Sequence, residues 1–367
     1  MLDLSGFRDP KLGQELIGVI EDIAPAALEQ RGGKIRLMEV CGTHTVALAR
    51  AGIRSILPDG IKLVSGPGCP VCVTANEDID TVIALSHLDN VIITTFGDMT
   101  RVPGSTSSLN EEKAAGRDIR IVYSPLDGLR CAQENPDREV IFVGVGFETT
   151  TPLIASTIKR AKLAGVNNFS VFAAHKTVPH TLEALVNDPE VAIDALILPG
   201  HVSTIIGRTP YEFLAQRYGI PGCIMGFEPI DLLGGIAILL RMLARGEAEI
   251  VNDYRRGVQD EGNVDAQATI DEAFEPCGAT WRGLGLIPDS GYKLRDEYAA
   301  FDALAKFAPV VEPTIEPKGC RCGDVLRGVM DPSECPLFAT ACSPEHPIGP
   351  CMVSSEGSCA AFYKYLR

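Results

Sequence analysis

A chain of 367 residues with 46% hydrophobic and 22% charged side chains has the length for two or three domains and a well-buried core. Its 33 basic against 48 acidic residues, a formal net charge of −15, exclude non-specific attraction to nucleic-acid phosphates or to an anionic membrane surface. The opening MLDLSGFRDPKLGQELIGVIEDIA lacks a basic segment followed by an apolar run, and no stretch reaches the roughly 18 apolar residues of a membrane span, so a cytoplasmic protein is expected.

Residues 10–30 carry the pattern of an amphipathic helix leading into a first strand. Short β-rich runs then alternate with helical stretches. Strands are expected at 35–40, 61–65, 91–95, 119–123, 140–145, 169–173, 195–198 and 223–226. Most of these runs are continuously apolar rather than alternating, as parallel strands covered on both faces require. Helical segments at 110–117, 153–164 and 181–187 separate them, which argues for α/β units with right-handed crossovers. The segment 232–243 has the length of a buried helix, and 241–259 reads as charged and helical. The stretch 275–307 reads as irregular, and from Pro317 the chain is loop-like and dense in cysteine.

A weak internal echo links RLMEVCGTHTVALAR (36–50) to IFVGVGFETTTPLIAS (141–156). Each runs from an apolar strand through a Gly turn and threonines into a helix. The echo reads either as two similar α/β domains or as a pattern any βα turn would show. The expected architecture is α/β: two similar doubly wound parallel-sheet domains, 30–130 and 131–240, plus an irregular Cys-rich domain at 241–367 that takes in the N-terminal helix 1–29.

Six of the twelve cysteines lie near the end of the chain, in the pattern C-x-C-x12-C-x6-C-x8-C-x7-C: Cys320, Cys322, Cys335, Cys342, Cys351 and Cys359. In a cytosolic chain, cysteines at this density read as ligands or redox thiols rather than as a disulfide framework. A [4Fe–4S] cluster needs four thiolates converging from a flexible segment, and this one supplies a surplus of two. Zinc is the rival, but its usual paired C-x2–4-C knuckles are missing. Ordinary thiols are the third reading. The surplus pair has the chemistry for a redox-active disulfide beside a cluster.

Three more cysteines sit in small-residue turns near the front, in MEVCGTHT and SGPGCPVCVT. Cys69 and Cys72 form a C-x-x-C, and Cys41 ends the preceding strand. The carboxyl ends of neighbouring parallel strands face one crevice, so the three sulfurs are expected to be neighbours that handle a metal with open positions. His44 follows Cys41 by three residues and has the chemistry to orient a ligand or move a proton, although a capping or core role is nearly as common. His175, His180, His201, Glu148, Thr149, Thr150, Thr151 and Asp98 lie near other strand ends, and each histidine alone is more often structural than catalytic. No Walker-type G-x4-G-K-[ST] loop, G-x-S-x-G elbow or H-E-x-x-H occurs, and GVGFET lacks the third glycine of a dinucleotide fingerprint. Cys131, Cys223 and Cys277 stand alone and read as buried packing residues.

At MEVCGTHT, SGPGCPVCVT, TFGDMTRVPGS, GVGFETTTP, FAAHKTVPH, ILPGHVSTIIG, GFEP and the run GCRCGDVLRGVMDPSECPLF…GPCMVSSEGSCAAFY, the chain resembles the HypD family of [NiFe]-hydrogenase maturation factors. The likeness spans nearly the whole chain, with no departure at the cysteines. It implies a scaffold that pairs with a small HypC-type chaperone while iron is built into Fe(CN)2CO, cyanide arriving through HypF and a HypE-type donor that docks on the pair. It implies that Cys41, Cys69 and Cys72 handle the iron, with His44 in the same motif. It also implies a [4Fe–4S] cluster arranged as in ferredoxin–thioredoxin reductase. Cys320, Cys335, Cys342 and Cys359 are assigned as its ligands and Cys322 and Cys351 as the redox disulfide, although spacing alone does not separate neighbours such as Cys320 and Cys322. A stand-alone iron–sulfur disulfide reductase is the alternative of a different class.

Overall fold

The computed structural model describes residues 5–366. Two parallel sheets form its frame. The first has five strands in the order β2-β1-β7-β8-β9: β1 Ile35–Glu39, β2 Ile61–Ser65, β7 Ala195–Pro199, β8 Gly222–Met225 and β9 Ile250–Asn252. The second has four in the order β4-β3-β5-β6: β3 Val91–Thr95, β4 Ile119–Ile121, β5 Glu139–Gly144 and β6 Phe169–Ala173. Every pairing within them is parallel. The expected strand runs all form, with ends displaced by one or two residues. Among their central members β3, β7 and β8 are buried along their whole length, as continuous apolar sequence demands.

The strands do not sort into contiguous blocks at 30–130 and 131–240. The second sheet is inserted between β2 and β7 of the first, because β7 returns to pair directly beside β1. The N-terminal helix Pro10–Gln30 also departs from expectation. It buries Ile20, Ala24 and Ala27 with Leu232, Leu233 and Ile236 of the helix Pro229–Arg245, over the Ile35 and Leu37 face of the first sheet, away from the Cys-rich segment. Each Ile or Leu side chain so removed from water contributes about 1.5–3 kcal/mol, so this apolar face decides where the helix goes.

Two stretches differ from their sequence reading. The helix Pro229–Arg245 stops at Gly246, whose φ of 66° is left-handed, and the chain turns into the short edge strand β9 inside the segment expected to be helical. The stretch read as irregular contains an antiparallel hairpin, β10 Phe274–Trp281 and β11 Gly285–Leu294, with a bulge between Cys277 and Ala279. Prolines and glycines within both strands mask the β pattern, and the bulge accommodates them.

The opposite face of the first sheet, carrying Met38, Val40, Val64, Leu196 and Leu198, packs against Trp281 of this hairpin and against cysteines of the C-terminal segment. That segment is irregular apart from short helices at Cys322–Leu326, Pro350–Val353 and Ser358–Tyr365. Among the described residues no helix is long and apolar enough to cross a membrane.

Candidate functional site

The strand order sets the carboxyl ends of β2, β1, β7 and β8 side by side, so the turns GPGCPVC, CGTHT, PGHVS and GFEP line one edge of the first sheet. Cys41 precedes the helix Gly42–Arg50 in extended conformation (φ −152°, ψ 125°), and Cys69 precedes Pro70–Val73 in the same way. The two turns interlock. Gly42 N–H donates to Gly68 O at 2.8 Å, and a Cβ on Gly68 would stand 2.2 Å from the Cys41 nitrogen. Only glycine permits that approach. Beneath them Glu39 is fully buried and takes hydrogen bonds from Arg54 and, at 3.0 Å, from Ser65 Oγ at the end of β2.

Cys41, Cys69 and Cys72 are all buried. Burial pushes the Cys41 thiol up to about 11, against the pull of hydrogen bonds from the His44 and Thr43 backbone and the Thr43 hydroxyl. Cys41 is therefore a neutral thiol at ordinary pH. Cys69 Sγ accepts from Cys72 N–H at 3.3 Å. His44 is fully buried and points elsewhere. Its Nε2 lies 3.2 Å from Met225 O and 3.0 Å from Gly226 O, so that nitrogen carries the hydrogen. Its Nδ1 has no hydrogen-bond partner, and burial pushes the ring down to about 4. The ring stacks on Phe227 at 4.6 Å, and Phe227 stacks on His201 at 4.0 Å.

The six C-terminal cysteines line a single narrow cavity of about 20 Å³, with Val325, Leu337, Phe338 and Met352. Cys322 Sγ and Cys351 Sγ lie 2.6 Å apart. Cys342 Sγ accepts from Ile348 N–H at 3.3 Å. A Cβ on Gly349 would stand 2.6 Å from Cys320 Sγ, so a bare backbone leaves room for that sulfur. Among the described residues no three His, Cys, Asp or Glu side chains stand close enough to hold a single metal ion. A polynuclear cluster makes a different demand, because each thiolate meets its own iron and the sulfurs spread around a cavity wall. The cysteine-lined apolar cavity fits that demand.

The two cysteine groups meet. Cys72 Sγ lies 3.8 Å from Pro350 O, the carbonyl next to Cys351. The thiol of Cys351 interacts with those of Cys72, Cys322 and Cys359, and burial with these neighbours drives the Cys72, Cys322 and Cys351 thiols well above the ordinary range. Sulfurs from opposite ends of the chain thus form one buried series, Cys69, Cys72, Cys351 and Cys322.

The other candidate residues divide. Asp98 lies near this edge, lining an open groove of about 770 Å³ with Thr43, Arg101 and Glu356. Glu148, His175 and His180 lie beyond β5 and β6 of the second sheet and do not line the cysteine cavity. Glu148 is buried, with Oε1 accepting from Val178 N–H at 2.9 Å and Oε2 unpartnered, and burial pushes it up to about 7. His175 is buried with both ring nitrogens unpartnered, and burial pushes it down to about 3. Cys131 and Cys223 are buried as expected, whereas Cys277 is only half-buried because it sits at the hairpin bulge.

Sequence reasoning missed Glu356. Its carboxylate accepts from Thr43 Oγ1 at 2.7 Å, and its Cβ would stand 2.7 Å from a Cβ on Gly42. The only signal was an acidic residue among small ones in VSSEGS, between two cysteines. Phe227, in GFEP, carries no local mark of its stacks on His44 and His201.

A family model described as "HypD: Hydrogenase formation hypA family" matches residues 15–366. The chain is 46% identical over 366 residues to "Hydrogenase maturation factor HypD" of Rhodobacter capsulatus, covering 98% of this chain and 97% of that protein. It is 44% identical over 362 residues to the protein of the same name from Escherichia coli (strain K12), covering 98% and 97%. It is 44% identical over 368 residues to that from Azotobacter vinelandii, covering 98% and 96%.

Proposed function

This chain belongs to the HypD family of hydrogenase maturation factors, and from that premise we propose that it is the scaffold on which, with a HypC-type chaperone, the Fe(CN)2CO group is assembled. Cys41 grips the iron, and Cys69 and Cys72 join it only once the interlocked turns shift, since the three sulfurs do not stand as one ligand group at rest. Cyanide and CO are strong-field ligands that favour low-spin Fe(II), and soft thiolates hold such an iron while leaving other positions open. A HypE-type donor brings cyanide to this edge of the first sheet, in the cytosol. His44 shapes the crevice by its stack on Phe227.

Cys320, Cys335, Cys342 and Cys359 hold a [4Fe–4S] cluster, and Cys322 and Cys351 are the redox pair. When bound, the cluster would supply one-electron reducing equivalents, and the Cys322–Cys351 disulfide would need two of them and two protons from water to become the dithiol. The protein's own sulfurs do the rest by exchange. The Cys351 thiolate attacks Sγ of Cys72 in a Cys69–Cys72 disulfide. The Cys351–Cys72 bond forms, the Cys72–Cys69 bond breaks, and Cys69 leaves and takes a proton. Cys322 then attacks Cys351, the Cys322–Cys351 bond forms, and Cys72 leaves as the second thiol. Two electrons and two protons have passed from the C-terminal pair to the front pair, which is left free to bind iron.

One observation carries this reading: Cys72 lies beside Cys351, which is 2.6 Å from Cys322. Co-purification with a HypC-type partner, without oxygen, tests it. The wild-type pair should show infrared bands of iron-bound cyanide and CO, and Cys41→Ala should lose them while keeping its four C-terminal irons. Bands retained in Cys41→Ala would defeat the assignment of Cys41. Bands absent from the wild type, with disulfide reductase activity present, would favour the stand-alone reductase.

A further inference from the structure

Arg282 was not singled out by any motif, yet its guanidinium is buried between the two cysteine groups. It is 4% exposed. Nε donates to Thr74 O at 3.1 Å, two residues past Cys72, and Nη2 donates to Asn76 Oδ1 at 3.2 Å. Nη1 donates to the Glu316 carboxylate at 2.7 Å, four residues before Cys320, and that carboxylate is mostly exposed. The Arg282 backbone N–H donates to Val73 O at 3.0 Å. The next residue, Gly283 (φ 79°), presses so closely on the residue after Cys322 that a Cβ would stand 2.3 Å from Gly323 Cα. The turn between β10 and β11 is thus wedged between the C-x-x-C helix and the Cys320–Cys322 turn. The arginine that lines the cavity itself, Arg321, is exposed and bound to Asp324, so its charge is already balanced at the surface, whereas Arg282 lies behind the wall.

A buried cation needs a compensating negative charge, and Glu316, open to solvent, offers a screened one. Four thiolates around a [4Fe–4S] core give a net negative group that gains one further negative charge on reduction. A cation nearby in a poorly screened interior stabilises the more negative state. We propose that Arg282 is a redox-tuning and positioning residue: it locks the C-x-x-C helix onto the Cys320–Cys322 turn, and its charge raises the reduction potential of the iron–sulfur group held through Cys320. In that step one electron from a low-potential one-electron donor enters the cluster core, and no bond forms or breaks. The inference rests on the reading that the C-terminal cysteines ligate a [4Fe–4S] cluster.

The test is a dithionite titration of the anaerobically purified full chain, followed by electron paramagnetic resonance. If the wild type holds no four-iron group that becomes paramagnetic on reduction, the cluster reading has failed and the variants are not needed. If it does, Arg282→Met should move the midpoint negative by at least 59 mV, a tenfold change in a one-electron equilibrium. Arg282→Lys, which keeps the charge, should stay within that margin. Arg282→Met is a buried change that can cost the fold or the cluster, so Glu316→Gln provides an independent arm. Removing the exposed carboxylate leaves Arg282 less neutralised and should move the midpoint in the positive direction. A folded, cluster-loaded Arg282→Met with an unchanged midpoint would overturn the proposal, as would a null or negative shift in Glu316→Gln.

Discussion

The two parallel sheets present similar carboxyl edges to different effect. β1 runs into CGTHT and β5 into GVGFETTTP, each a strand, a small-residue turn and a helix. At the first edge the turns of neighbouring strands interlock through Gly68, and the Cys-rich segment packs on the adjoining face. At the second edge the titratable groups Glu148 and His175 are sealed in the interior, with ring nitrogens and a carboxylate oxygen unpartnered. A shared βα turn therefore does not make a shared site. What the C-terminal segment covers decides which turn meets a second group of cysteines.

The contrast is broken most forcefully at Gly68. Gly68→Ala puts a methyl group 2.2 Å from the Cys41 nitrogen, a clash with backbone that no rotamer relieves. Overpacking of this kind costs about 1–3 kcal/mol or more, and the two turns must part to relieve it. Urea unfolding should show that loss, and the variant co-purified with its small partner should lose most of its iron-bound cyanide and CO bands. Wild-type stability and bands in Gly68→Ala would mean that the interlock does not hold the site.

The second edge should reveal itself in pH dependence. His175 is held at about 3, below its unfolded value of about 6.5, so its contribution to stability is complete above pH 6.5 and drains away as pH falls toward 3. Glu148 is held at about 7, above the ordinary carboxylate value, so its contribution is complete below about pH 4.5 and is lost as pH rises through 7. Glu148→Gln, a neutral isostere, should therefore stabilise the protein at pH 8 by on the order of 2 kcal/mol and change little at pH 4.5. His44, held at about 4 at the first edge, adds to the acid-side loss. Urea unfolding across this pH range checks both signs, and a Glu148→Gln effect independent of pH would remove the electrostatic account of that edge.

The smallest effect is expected at the surface. Lys62 on β2 meets Asp331 of the C-terminal segment at 2.6 Å, but its side chain is 52% exposed. Solvent screens such a pair, so Lys62→Ala should cost under about 1 kcal/mol and leave the iron content intact. A larger loss would show that the Cys-rich segment is docked by charge rather than by its apolar and sulfur contacts.

Much of this was legible in the sequence, for local reasons. Continuous apolar runs gave away the parallel strands, and the rule that neighbouring strands open onto one crevice brought the Cys41 turn beside the Cys69 and Cys72 turn, although the three sulfurs do not stand as one metal-holding group. The short edge strand β9 was hidden by the charged residues around it, and the hairpin by Pro276, Pro288, Gly278 and Gly291. The insertion of one sheet within the other was not legible, since β7 carries no local mark of pairing with β1 rather than with β6. Glu356 and Arg282 were invisible for a similar reason. Each is an ordinary residue type whose role comes from segments more than 200 positions away.

The account depends most on the continuity from Cys72 to Cys351, which a double substitution isolates. With Cys69→Ser and Cys322→Ser in the full chain, Cys72 loses its neighbour Cys69, and Cys351 keeps Cys359 as its one rival to Cys72 among the thiols it meets. Mild oxidation followed by non-reducing peptide mass analysis should then yield the Cys72 peptide joined to the Cys351 peptide. If both thiols stay free, or pair with other cysteines, the two groups are not in contact and the relay between them does not exist.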